Sequence, residues 1–387
     1  MSTTTTQRLP QKAPTESTTE VRVVETSDAT LASPNPWAPL KIPATRINEV
    51  IEQLAAAPVP SGGRRSASLV HPQSVGRGLA PGIEVSVEVL LPGERTTPLR
   101  RNASLVQISV RGSGTVNVDG TSMALRERDV CTVPSMKPHV FENPGQELWA
   151  RLSYSNAPLL SYLGVHYWEA VDADWRPAAA IDGPVDMEEP ADAGPYTRET
   201  APDFVVSERG ARLRGYEYLV DIEPLPNPPL HWPYAAMSDL MSQTAGDGLR
   251  TIMALYNPAT ERKQGATNSF FVTLSQLPPG HKPRAEGPGH RHSSVAINYH
   301  LDGVGYSVVD GQRIDWGPGD LLLSAPSWRE HTHYPSETGW RVYTVQDHPL
   351  HIGMESLIWQ EDMSGPILAL GSESGLTGYV APRQMGD

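Results

Sequence analysis

Residues 302–311 read DGVGYSVVDG, and residues 111–120 read RGSGTVNVDG. In each stretch a short β-rich run enters an Asp-Gly pair, Asp310-Gly311 or Asp119-Gly120, which supplies the positive φ angles of a tight hairpin turn. The two stretches are in register: Gly112 with Gly303, Gly120 with Gly311 and Asp129 with Asp320 are each 191 positions apart. Upstream, Pro39-Leu40-x-x-Pro43 and Pro229-Leu230-x-x-Pro233 lie 190 apart, each before a short expected helix, Asn48 to Ala57 and Tyr234 to Gln243. One unit, a lead-in followed by a β-rich body, therefore occurs twice.

Composition points the same way. Gly (33) and Pro (37) are far above the roughly 12 % of residues usual for the pair, which argues against a helical bundle and for many short strands joined by turns. The 387 residues suit two or three domains, and a hydrophobic fraction of 39 % is enough for a sizeable core. A net charge of −13 disfavours nucleic acid and anionic membranes as partners, since both require basic patches. Cys131 is the single cysteine, so an internal disulfide framework and a cysteine-built zinc site are excluded. It falls in an expected buried strand and reads as a small core hydrophobe. No apolar run approaches the roughly 20 residues of a membrane span, and the expectation is a cytoplasmic protein.

The second body carries a pattern of its own: Pro279-Gly280, His290-Arg291-His292, Gly303, Pro318-Gly319-Asp320, Pro326 and His331. This pattern resembles the cupin superfamily. The stretches HRHSSVAINYHLDG (residues 290–303) and DWGPGDLLLSAPSW (residues 315–328), then HTH (residues 331–333), with Tyr256-Asn257-Pro258 upstream, resemble the bicupin ring-cleaving dioxygenases of gentisate, salicylate and hydroxynaphthoate. The resemblance implies a mainly β fold: two tandem cupin barrels (double-stranded β-helix, jelly roll) with short flanking helices. The expected organisation is a disordered tail at 1–34, an N-terminal cupin at 35–170 and a connector at 171–225. A C-terminal cupin at 226–355 and an extension at 356–387 follow.

His290 and His292 stand at i and i+2, which on a strand places both imidazoles on one face. His331 follows 39 residues after His292, from a later strand facing the same interior. Three neutral imidazoles suit Fe(II), with Mn, Ni or Zn as alternatives. Many cupins add a Glu shortly after the second His; here that stretch is Ser293 to Asn298, with no acid, as in the dioxygenases named above. A three-His face leaves about three positions of an octahedral metal for a bidentate substrate and dioxygen. The corresponding positions of the first body hold Leu99 and Arg101, with only His139 kept, so the N-terminal cupin is expected to be metal-free. Arg101 then reads as a structural replacement for a cation, or as a remnant anion site.

Around the metal, His333 shares the inward parity of His331 and is the candidate catalytic proton carrier or hydrogen-bond donor, or else a surface His. Candidate substrate contacts are Asn298 and His300, which continue the His292 face if the strand is unbroken. Trp328 and Tyr343 are candidates for a cavity wall, or for plain core packing. Arg329 and Arg341 could fork onto a carboxylate, or simply face solvent.

The resemblance implies a mononuclear non-haem Fe(II) dioxygenase that cleaves the ring of a small hydroxylated aromatic acid, with dioxygen as co-substrate. Two alternatives stay open: another metal-dependent cupin enzyme acting on a specialised metabolite, and a non-enzymatic ligand-binding bicupin. Relatives of this type often assemble as homodimers or tetramers, and the Pro-rich segment Pro34 to Pro43 could serve as an arm.

Overall fold

The computed structural model describes residues 36–171, 203–214, 227–244, 250–281 and 286–370. The expected tail at 1–34 lies outside them, as does most of the expected connector.

Hydrophobic alternation builds each body as two facing sheets. In the first half, a large sheet runs in the order His231–Trp232, Val130–Val133, Leu105–Arg111, Trp149–Ser155, Glu84–Leu90, Arg65–Leu69. A smaller sheet runs Trp168–Ala170, Leu99–Arg101, His139–Glu142, Gly114–Val118, Thr121–Leu125. The second half repeats the plan. Its large sheet runs Leu40–Ile42, Leu321–Ala325, Ala296–Asp302, Trp340–Gln346, Phe271–Leu277, Thr251–Ala254. Two three-stranded pieces face it, and a bridge between His290 and His331 links them. These are open sheets arranged as jelly rolls rather than continuously closed barrels. Both halves belong to one compact unit. The hairpin Asp203–Val205/Arg212–Arg214 belongs to a second, separate unit.

Strand parity sorts the side chains. Along Glu84–Leu90, Val85, Val87 and Val89 enter a core shared with Leu274, Ile297, Tyr343 and Val345 of the other half. Leu90 and, on the adjacent strand, Trp149 turn the other way, into the interior of their own jelly roll. Both faces of the large sheets are thus buried, which is why Trp149–Ser155 and Leu321–Ala325 are buried at every position.

The repeated Asp-Gly turns form as the sequence predicts, with φ of +48° and +92° at Asp119 and Gly120 and of +45° and +77° at Asp310 and Gly311. The repeated glycines Gly112 and Gly303 also have a physical cause. Each has a positive φ, and a Cβ there would lie 2.2 Å from Leu148 O or 2.0 Å from Gly339 O, so only glycine fits.

The lead-in segments are exchanged between the halves. Leu40–Ile42 pairs antiparallel with Leu321–Ala325 of the second half, and His231–Trp232 pairs with Val130–Val133 of the first. Each lead-in then enters a helix, Ala44–Ala56 or Tyr234–Thr244, starting four residues before the expected Asn48 in the first case. The first turn of each helix is capped from the partner half. Asp320 Oδ1 accepts from Ala44 N at 2.8 Å, and Asp129 Oδ1 accepts from Tyr234 N at 2.8 Å. The second oxygen of each carboxylate holds its own turn, from Gly317 N at 3.0 Å and Arg126 N at 2.9 Å. Burial alone would raise the Asp129 pKa. The hydrogen bond from His231 and those from Arg126 N and Tyr234 N outweigh it and hold the carboxyl below its usual value.

Replacing Asp129 or Asp320 by Ala removes a charged cap and a turn bond together, and should cost about 1–3 kcal/mol in denaturant unfolding. For Asp129 the folded pKa is the lower one, so its contribution is full above the unfolded value of about 3.9 and fades as pH falls through the folded value. The stability gap between the parent and Asp129→Ala should therefore narrow in acid and stay constant near neutrality.

Candidate metal centre

His290 and His331 face each other across an antiparallel bridge, with His290 N donating to His331 O at 3.1 Å and His331 N to His290 O at 2.9 Å. His292 follows on the short strand Arg291–His292. One ligand atom from each of the three rings lies within 4.8 Å of the others. Ring centroids are 4.5 Å apart for His290–His331 and 4.8 Å for His292–His331.

The hydrogen bonds set the tautomers. His292 Nδ1–H donates to Ser294 O at 2.8 Å, and His331 Nδ1–H donates to Arg329 O at 3.0 Å. A carbonyl only accepts, so the proton sits on Nδ1 and the lone pair on Nε2 in both rings. Burial, then the neighbouring His331 and His348, push the His292 pKa well below its ordinary value, so the ring is neutral. Neutral imidazoles converging with oriented lone pairs fit a divalent metal.

The cavity beside this triad is lined by His333, Asn298, Arg250, Trp340, His348 and Trp359, among others. His333 Nδ1 lies 2.7 Å from Ser307 Oγ, which also accepts from Trp316 Nε1 at 3.0 Å. Ser307 is fully buried, so its hydroxyl must donate, and His333 Nδ1 receives that bond. The His333 proton is thereby assigned to Nε2.

Of the six residues expected at the substrate, Asn298 lines the cavity. The strand is not continuous from His292: a bend at residues 293–295 separates it from Ala296–Asp302. His300 lies farther along, stacked on Trp316 at 4.1 Å and accepting from Trp340 Nε1 at 3.2 Å. Burial lowers its pKa to about 3. Tyr343 and Arg341 have the opposite parity from the cavity residue Trp340. Tyr343 donates its hydroxyl to Arg128 O at 2.9 Å, across the two halves. Arg341 donates to Tyr234 Oη at 3.0 Å and Gln276 Oε1 at 2.9 Å. Arg329 is spent on the lead-in, donating to Trp37 O at 2.6 Å and Pro36 O at 2.7 Å, and pairs with Asp310. Trp328 lies 4.6 Å from the Arg291 guanidinium, whose residue alternates away from the two flanking histidines.

Trp359, His348 and Arg250 are among the cavity residues that escaped the sequence reading. Trp359 stacks on His290 at 4.8 Å and His292 at 5.0 Å, from a strand paired with Arg291–His292. Its repeat partner 191 positions earlier is Trp168, which pairs with Arg101 in the same way, so the repeat itself carried this signal. His348 is linked to His292 through Ser294 Oγ, at 3.1 Å and 2.9 Å, and burial lowers its pKa to about 4. The repeat places Ala157 at the corresponding position, and that difference was the available clue. Arg250 precedes the strand Thr251–Ala254, and its guanidinium lies 5.6 Å from the Trp340 ring.

Cys131 is fully buried, and burial pushes its thiol up to about 12, as a core hydrophobe requires. No helix among the described residues is long and apolar enough to cross a membrane.

Single substitutions His290→Ala and His331→Ala should each drop metal content, measured on anaerobically purified protein, from about one per chain to below roughly a tenth. His139→Ala should leave it unchanged.

Residues 280–368 match the AraC-like ligand binding domain. The chain is 23 % identical over 322 residues to 5-aminosalicylate 1,2-dioxygenase of a Comamonas species, covering 79 % of this chain and 77 % of the relative. It is 27 % identical over 288 residues to 1-hydroxy-2-naphthoate 1,2-dioxygenase of Nocardioides sp. (strain KP7), covering 71 % and 65 %. Salicylate 1,2-dioxygenase of Pseudaminobacter salicylatoxidans superposes with a TM-score of 0.67 at 15 % identity, over 87 % of this chain and 91 % of that one. The chain therefore has the two-body jelly-roll fold of that dioxygenase, with curated ring dioxygenases as sequence relatives along most of its length.

Proposed function

We propose that the chain is a mononuclear non-haem iron dioxygenase that cleaves the ring of a small hydroxylated aromatic acid. The observation that carries this reading is the convergence of three imidazoles, with one ligand atom of each within 4.8 Å of the others, beside a cavity that also contains an arginine, in a fold shared with salicylate dioxygenase. The curated relatives act, by name, on aminosalicylate and hydroxynaphthoate.

His290, His292 and His331 would hold the metal, which supplies Lewis acidity and a template for substrate and dioxygen. The remaining work falls to the chain's own side chains. Arg250 provides the cationic fork for the substrate carboxylate, with its guanidinium oriented by the Trp340 ring. Trp359 lies flat against two of the three imidazoles and keeps water from that side of the centre. His333, with its proton on Nε2, donates a hydrogen bond into the cavity and can deliver or recover a proton there. Asn298 donates its amide to Ser324 Oγ at 3.2 Å, which leaves its carbonyl oxygen for a substrate hydroxyl.

Oxygen uptake with Fe(II)-loaded protein should be seen for at least one of salicylate, gentisate and 1-hydroxy-2-naphthoate. Full metal loading with no uptake across this panel would favour another cupin chemistry. Arg250→Ala should raise KM for the carboxylate substrate roughly 10- to 100-fold while metal content stays constant, the expected cost of losing a charged hydrogen-bonding partner. His333→Ala should instead lower kcat, with metal content retained.

A further inference from the structure

The interior of the first jelly roll is not simply an emptied copy of the second. Glu88 and Arg151 stand opposite each other in register on adjacent strands, and their side chains pair at 2.9 Å with 5 % and 1 % exposure. Arg64 lies 3.9 Å from the same carboxylate. Arg101 occupies the position held by His292 in the second half, paired with Trp168 as His292 is with Trp359. The charges of Arg64, Arg101 and Arg151 all act on Glu88 and on His139. Glu84 adds a second carboxylate near Arg101. Three guanidiniums thus face two carboxylates, which leaves one positive charge uncompensated.

The polar atoms of this cluster are also incompletely paired. Nη1 and Nη2 of Arg64, Nε of Arg101, and Nε and Nη1 of Arg151 are buried without a hydrogen-bond partner. His139 is fully buried and donates Nδ1–H to Lys137 O at 3.1 Å, so its Nε2 carries a lone pair, and that atom too lacks a partner. Buried donors and acceptors left in this state are costly, and a native interior rarely keeps several together. Burial, with the neighbouring Arg64 adding to it, lowers the pKa of Arg101 and of Arg151 to about 10. The Arg151 guanidinium packs against two aromatic rings, 3.8 Å from the Phe141 ring and 4.3 Å from Trp149, which restricts its orientation.

We propose that the interior of the first jelly roll is a second, metal-independent binding site for a small hydroxycarboxylate, whose carboxylate is held by Arg64, Arg101 and Arg151 and whose hydroxyl donates to His139 Nε2. One excess positive charge calls for a monoanion rather than a phosphate dianion. The planar forks match a carboxylate, and the unpaired imidazole lone pair calls for an O–H donor. This site does not depend on the reaction assigned to the second half.

The test uses the full-length His331→Ala/Arg250→Ala chain, treated with chelator so that neither the metal centre nor the cavity arginine of the second half can contribute. Titration calorimetry with glycolate should show one site per chain, with acetate binding roughly five- to tenfold more weakly for want of one hydrogen bond. At a hundred times Kd, glycolate should raise Tm by about 4 °C over sodium chloride at equal ionic strength. Arg101→Met on the same background should abolish the glycolate response and, by removing an uncompensated buried charge, raise Tm without ligand; a merely structural arginine would lower it. His139→Phe should make glycolate and acetate equivalent. Absence of binding, a response to inorganic phosphate alone, or a glycolate response retained by Arg101→Met would each overturn the proposal. Should the Arg101 and His139 variants fail to fold, equilibrium dialysis of labelled glycolate against the chelator-treated His331→Ala/Arg250→Ala chain decides alone: about one per chain supports the site and none refutes it.

Discussion

The exchange of lead-in strands, locked by Asp129 and Asp320, is the constraint on which the rest of the molecule depends. Each carboxylate fastens three things at once: its own tight turn, the first turn of the helix that follows the exchanged strand, and a basic residue on that strand. Lys41 lies 3.6 Å from Asp320 and His231 lies 2.9 Å from Asp129. A strand of two or three residues has too few ladder bonds to hold itself in place, so the carboxylate does what length cannot. The exchange also covers an edge of each large sheet, which would otherwise present unpaired backbone groups. Arg128 adds a two-armed pair with Asp302, at 3.0 Å in each arm, on the same interface. The halves are therefore two parts of one core, and central strands of the large sheets, such as Trp149–Ser155 and Leu321–Ala325, are buried on both faces.

That burial explains where chemistry can be placed. With both faces of the large sheets enclosed, even and odd positions serve different purposes: one set seals the halves together and the other lines a jelly-roll interior. Thr344 lines the metal cavity, whereas Tyr343, one residue earlier, reaches across to Arg128. A one-residue register slip would exchange these roles along a whole strand, so the hairpin turns and the two tightly packed glycines protect the site as well as the fold.

Much of this was legible in the sequence because it was written twice. The Asp-Gly turns, the paired glycines and the lead-in prolines are local features with fixed backbone consequences, and their common spacing revealed the duplication. The three histidines were legible for a similar reason, since imidazoles at i and i+2 on a strand share a face. What escaped notice depended on partners distant in the chain. Arg329 and Arg341 have the same chemistry as Arg250, and only the tertiary structure shows that the first two reach Pro36, Trp37, Tyr234 and Gln276 and that the third lines the cavity. His300 shares the strand and parity of Asn298 but lies farther from the triad, where it contacts Trp316 and Trp340 instead of the cavity, a distance that residue type does not announce. Strand exchange was equally hidden: the lead-in motifs were visible, but not which half each would join.

The two interiors show how a duplicated fold can diverge while keeping its backbone. A jelly roll of this kind places inward-facing positions on opposing strands close together, and polar residues there must be satisfied by something. The second half meets this demand with three histidines gathered at one place, two of which, His292 and His331, tie Nδ1 to the backbone and so turn Nε2 toward a metal ligand's role. In the first half, Leu99 and Arg101 take two of those positions, and the carbonyl bond that fixes the tautomer of His331 persists at His139. The His139 ring thus has the tautomer of a ligand although no companion histidines stand beside it. Arg101 and Arg151 give the first half the opposite requirement, an interior short of an anion where the second is short of a cation. The sign of the missing charge, rather than the shape of the fold, is what separates the two halves.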